Sequence, residues 1–97
     1  MVTLDTLQHE KRAEILRLAE KHGCRNVRVF GSVATGENRP DSDLDLLVDL
    51  DPGRTLLDLA RLLGDLRDLL QMEVDVHDSR CIHPYIRQRV FAEAVPL

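Results

Sequence analysis

Aromatic residues are nearly missing from this chain: it has no Trp, one Tyr and two Phe. Single-stranded nucleic acids are commonly held by aromatic rings on which bases stack, so that mode of binding is excluded. Positive charge is also in short supply, with 13 Lys and Arg against 17 Asp and Glu, for a formal net charge of −4. A field of that sign opposes broad binding of DNA or RNA through the phosphate backbone, although arginines can still form a local patch. The two cysteines, Cys24 and Cys81, lack zinc-site spacing and do not suggest a disulfide framework. They read as reduced thiols of a cytoplasmic protein. No apolar run approaches the roughly 18 residues of a membrane span, and no signal-peptide pattern opens the chain, so no membrane contact is expected. At 97 residues, one domain over 1–97 is expected, without repeats or low-complexity tracts.

What the chain does have is aspartate alternating with leucine. In Asp43-Leu44-Asp45-Leu46-Leu47-Val48-Asp49-Leu50, a period of two puts Asp43, Asp45, Leu47 and Asp49 on one face and Leu44, Leu46, Val48 and Leu50 on the other. That is a half-buried strand, its leucines on a core and its aspartates at or near water. Asp43 and Asp45 then stand about 6.5–7 Å apart at Cα, close enough to repel unless a cation lies between them. A merely solvated acidic face would look the same over this stretch alone. Upstream, the apolar run Val27-Arg28-Val29-Phe30 reads as a strand that ends in Gly31-Ser32, with Gly36 closing a short segment behind it. Glycine at a strand end permits close backbone approach, and the amides of the next turn, with a hydroxyl beside them, can cradle an anion. A phosphate cradle followed by paired carboxylates is what a metal-chelated triphosphate requires.

The remaining segments supply a scaffold. Thr3 to His22 is expected as one amphipathic helix, with Leu4, Leu7, Ile15, Leu18 and Ala19 near one stripe, His9 and His22 on its surface, and Gly23 ending it. Pro40 stops any helix begun at Val33, and Asp51-Pro52-Gly53 marks a turn. Thr55 and Asp58 form a capping box for a helix whose seam is Leu56, Leu59, Leu63, Leu66 and Leu70. Leu57, Leu62 and Leu69 widen that seam, as scattered surface or as a partner-binding face. Met72 to His77 alternates again, with Met72, Val74 and Val76 inward and Glu73, Asp75 and His77 outward. His77 can order a ligand or a water there, or simply meet solvent. Asp41, Asp49 and Asp78 are assigned to solvated surface. Pro84 to Val95 reads as a last helix with Ile86, Val90, Phe91 and Ala94 as core candidates. The order of elements implies a small α/β fold with a mixed three- or four-stranded sheet packed with helices.

The run GSVATGENRPDSDLDLLV resembles the G-S-x-x-x-G-x(n)-S-D-x-D signature of the DNA polymerase β-like nucleotidyltransferases. More narrowly, it resembles their smallest branch, the minimal nucleotidyltransferases, and the ending HPYIRQRVFAEAVPL is similar to their closing segment. The resemblance implies that Asp43, Asp45 and Asp75 are the catalytic and metal-binding carboxylates, with Asp75 brought beside the other two from a later strand. Two Mg²⁺ ions and ATP are implied, with Asp75 on the acceptor side as metal ligand and general base. Gly31 and Ser32 would hold the β- and γ-phosphates. Many members carry an arginine within the Gly-Ser loop; here it reads Val33-Ala34-Thr35, so Arg39 or a partner residue is the substitute. The implied function is an antitoxin that transfers AMP from ATP to a hydroxyl, expected to be a tyrosine's, of a HEPN-class toxin protein. A non-catalytic antitoxin that masks the toxin, and an enzyme that modifies an antibiotic hydroxyl, are the competing readings; homo- or hetero-oligomerisation stays open.

Overall fold

A computed structural model describes residues 2–97. The apolar run before Gly31 becomes β1 (Cys24–Phe30) and the alternating aspartate run becomes β2 (Leu44–Leu50), paired antiparallel, with a bulge between Arg25 and Arg28 where Asn26 takes a positive φ. Asn is among the few non-glycine residues that tolerate that conformation. β3 (Val74–Asp78) joins the other edge of β2 in parallel, which requires a crossover; the helix α4 (Leu56–Leu70) supplies it. A two-residue β4 (Val95–Pro96) pairs antiparallel with β1, giving a mixed four-stranded sheet of order β3-β2-β1-β4.

One sheet face carries the main core. Val27, Val29, Leu44, Leu46, Val48, Leu50 and Val74 pack with Leu7, Ile15 and Ala19 from the N-terminal helices and with Leu59, Leu62, Leu66 and Leu70 of α4. The Thr55–Asp58 capping box forms as expected. The buried seam differs from expectation: Leu62 is fully buried, whereas Leu56 and Leu57 in the first turn are 72% and 58% exposed. The stripe that meets the sheet is centred on the middle and end of the helix, which removes Leu62 from any partner surface.

The expected single helix over Thr3–His22 is instead two, α1 (Leu4–Gln8) and α2 (Arg12–Lys21). The Lys11 N–H reaches back five residues to the Thr6 carbonyl, and the His9 ring engages the Asp5 carbonyl, so the helical ladder is broken between them. His22 is not a surface residue. It is buried, and its Nε2 lies 2.7 Å from the Asp65 carboxylate, joining the end of α2 to α4.

The opposite sheet face is also partly covered, which corrects a second expectation. The helix α5 (Pro84–Glu93) crosses it, and Leu47, expected among the solvated aspartates, is fully buried with Ile82 and Val90. Ile86 and Phe91 stay exposed. The Phe91 ring lies instead under two guanidinium groups, those of Arg28 at 5.7 Å and Arg87 at 4.9 Å. Among the described residues, no helix is long and apolar enough to cross a membrane.

Asp49 and Asp78 are structural rather than solvated. Asp78 is buried, caps the short 3₁₀ turn Ser79–Cys81 through the Arg80 N–H at 3.0 Å, and accepts from the Arg80 guanidinium at 2.9 and 3.2 Å. Those bonds from Arg80 outweigh desolvation and hold its carboxyl below the usual 3.8. At Asp49 desolvation pushes upward, but bonds from Ser79 and Asn26 and the charge of Arg28 prevail, and its carboxyl also lies below the usual range. A depressed carboxyl stabilises the fold fully above its unfolded value and loses that contribution as pH falls through its folded value. Acid unfolding is therefore expected to set in below about pH 4. Asp78→Ala should lower stability near pH 7 by about 1.5 kcal/mol, roughly 6–12 °C in Tm, and flatten the acid limb of a Tm-against-pH profile. A variant that melts like the parent at pH 7 would refute the structural role.

Candidate active site

At the end of β1, Gly31 turns the chain with φ 76° and ψ −155°, a conformation that is essentially glycine's alone. Its Cα faces Asp45: a Cβ built there would stand 2.6 Å from the Asp45 Oδ2. The turn leads into a four-residue helix, α3 (Ser32–Thr35), pinned from below by the buried Val33 and closed by Gly36 in the left-handed region. Ser32 is half-buried at the start of α3, directly after the glycine that flanks Asp45.

The parallel register of β2 and β3 sets Asp45 opposite Asp75 and Leu47 opposite His77. One ligating atom from each of Asp45, Asp75 and His77 falls within 4.8 Å of the others. The His77 Nε2 lies 3.6 Å from Asp45 Oδ1, is shielded from solvent and has no hydrogen-bond partner. Phe30, paired with Asp45 across β1 and β2, meets the His77 ring edge-on at 5.2 Å. Asp43 precedes β2 by one residue, is exposed, and does not enter the three-residue cluster.

Thus the structure brings Gly31, Asp45 and Asp75 together, with Ser32 adjacent in the chain, and adds His77. Ser42 closes the approach loop, accepting from the Arg39 N–H at 2.7 Å and donating its own N–H to the Arg39 carbonyl. Arg39 itself lines a cavity with Thr6, Glu10, Gln71 and Met72, none of which belongs to the cluster. His77 was legible as a residue on the Asp75 face; its orphaned nitrogen was not.

A sequence profile described as a nucleotidyltransferase domain matches residues 12–97. The chain belongs to this nucleotidyltransferase family. Two archaeal relatives carry the name protein adenylyltransferase. One, assigned as such in Methanocaldococcus jannaschii, is 40% identical over 90% of this chain and 94% of its own length. The other, the protein adenylyltransferase MntA of Thermococcus cleftensis, is 35% identical over 98% of this chain and 96% of its own. A solved structure assigned to the minimal nucleotidyltransferases is 51% identical, with a TM-score of 0.86 over 99% of this chain and 97% of that one. More distantly, the complex of a tri-AMPylated Shewanella oneidensis HEPN toxin with its MNT antitoxin shares the fold: TM-score 0.69, 20% identity, 92% of this chain and 70% of that one.

For this nucleotidyltransferase, the donor set fits a divalent cation. Two carboxylates and an imidazole nitrogen converge, and the unpartnered His77 Nε2 lies 3.6 Å from Asp45 Oδ1. Ligands about 2.1 Å from one ion are about 3.0 Å apart at right angles and about 4.2 Å apart across it, so small side-chain adjustments close the site.

Proposed function

We propose that this nucleotidyltransferase is an antitoxin that transfers AMP from ATP to a hydroxyl, that of a tyrosine, on a HEPN-class toxin protein. The observation that carries the reading is the convergence of Asp45 and Asp75 beside the Gly31 turn, in a chain whose relatives are named protein adenylyltransferases. The distant HEPN–MNT complex has the same fold and motivates the choice of partner.

In this reading Asp43, Asp45 and Asp75 hold two Mg²⁺ ions. When bound, such ions neutralise the triphosphate and the charge that develops on the attacking and leaving oxygens. The Gly31 and Ser32 amides and the Ser32 hydroxyl hold the β- and γ-phosphates and orient the α-phosphorus. Asp75, the exposed member, faces the acceptor and takes the hydroxyl proton as that oxygen bonds to phosphorus and pyrophosphate departs.

The test is incubation of the purified chain with α-labelled ATP, Mg²⁺ and a HEPN-class partner, followed by intact mass. A gain of one or more AMP masses on the partner, lost with Asp75→Asn, is the expected outcome. Silencing of the partner without mass gain, equally by the Asp43→Asn/Asp45→Asn protein, would replace catalysis with masking. In that event the exposed Leu56–Leu57 pair is the first surface to mutate.

A further inference from the structure

His77 is the feature of the site that the carboxylate reading leaves unused. Its ring is fixed from two sides, by the β3 ladder and by the edge-on Phe30 ring. That placement buries Nε2 while the rest of the side chain keeps contact with solvent, 40% exposed overall. Buried polar atoms nearly always have a partner, and this one has none among the described residues. Its nearest polar neighbour is the Asp45 Oδ1 at 3.6 Å, too long for a hydrogen bond. Two donors that converge on one cation sit about 3.0–3.4 Å apart in octahedral or tetrahedral sites, so a movement of a few tenths of an ångström from the observed 3.6 Å would bring both onto an ion.

We infer that His77 Nε2 is a metal ligand, and that it gives the Asp45–Asp75 site a preference for first-row transition ions such as Co²⁺ and Mn²⁺ over Mg²⁺. This rests on the reading that Asp45 and Asp75 hold a cation. Mg²⁺ takes oxygen donors and gives up water reluctantly, so an imidazole adds little to its binding. Co²⁺ gains much more from a nitrogen donor, and Mn²⁺ gains less, following the order of divalent affinities. The same two carboxylates with a leucine or valine at position 77 would make an all-oxygen site. With His77 the donor set is O, O, N.

The experiment uses the whole chain and the metals alone, without nucleotide. Mn²⁺ is bound to the parent, to His77→Leu and to Asp45→Asn, and electron spin-echo modulation reads whether a ¹⁴N nucleus is directly coordinated. Competition of Co²⁺ and Mg²⁺ against Mn²⁺ then gives relative affinities. The parent should show ¹⁴N modulation that vanishes in His77→Leu, where Co²⁺ affinity falls about tenfold or more and Mg²⁺ affinity changes less than about twofold. His77→Gln, which retains a polar side chain, serves if the leucine variant does not fold. Mn²⁺ bound by the parent without ¹⁴N modulation, but lost in Asp45→Asn, overturns the role of His77 and leaves the carboxylate site standing. A parent that binds no divalent ion overturns both.

Discussion

Asp45→Asn is expected to lower nucleotide transfer by about a hundredfold or more while leaving the fold intact. The substitution keeps the side chain's shape and one oxygen but removes the charge at the centre of the cluster, where Asp75, His77 and the Gly31 backbone all meet. Even partners one shell removed from a metal ligand are worth 10- to 100-fold, so loss of a ligand's charge is worth at least the upper end. The same change has a thermodynamic signature. A metal–nucleotide complex at ten times its Kd stabilises the folded state by about 1.4 kcal/mol, roughly 6–11 °C for a domain of this size. The parent should gain that increment with Mg²⁺ and ATP, and the Asp43→Asn/Asp45→Asn protein should not. Apo, the double variant should melt at or slightly above the parent, because two mutually repelling carboxylates have been neutralised. A full thermal response in the double variant would remove these aspartates from the site.

Gly31→Ala is expected to damage both stability and activity, and Gly36→Ala stability alone. At Gly31 a methyl group meets two obstacles. The backbone lies in a region essentially closed to other residues, costing about 1–3 kcal/mol, and the methyl carbon would stand 2.6 Å from the Asp45 Oδ2. Asp45 must therefore swing aside, and transfer should fall by about as much as in Asp45→Asn. Gly36 has a comparable φ of 80° but open space around it, so an alanine there costs about 1–2 kcal/mol of backbone strain and touches nothing. Melting temperature and transfer rate, measured on both variants, separate strain from obstruction. Equal activity in the two would mean that the approach of Gly31 to Asp45 is incidental.

Local signals read well from the residues. The alternation around Asp45, the Thr55–Asp58 cap and the turn at Gly31 depend on neighbours in the chain, and each forms where the pattern puts it. The Asp45–Asp75 adjacency came from family resemblance, since spacing alone does not say which strands pair. What stayed illegible depends on distant elements. Leu47 is buried because α5 crosses a face that the strand pattern marks as wet. Leu62 meets the core whereas Leu56 and Leu57, in the first turn of α4, do not, a choice set by which elements α4 packs against. His22 and Asp65 find each other across two helices, and Asp78 finds its partner in a turn with no periodicity of its own. The break between α1 and α2 contains neither proline nor glycine, so composition did not announce it.

The crossover through α4 also dictates when the site can come into being. β1 and β2 are joined through residues 31–43, a shorter connection than the 51–73 that separates β2 from β3, and their pairing brings Gly31 to Asp45. Asp75 and His77 join the cluster only where α4 has carried the chain across to set β3 alongside β2, the closure of a longer loop. One half of the cluster therefore rests on the shorter chain closure and the other half on the longer one. A chain that has collapsed without docking α4 already presents one carboxylate beside its glycine turn, yet it lacks both remaining members of the cluster, so assembly of the complete cluster reports completion of the fold.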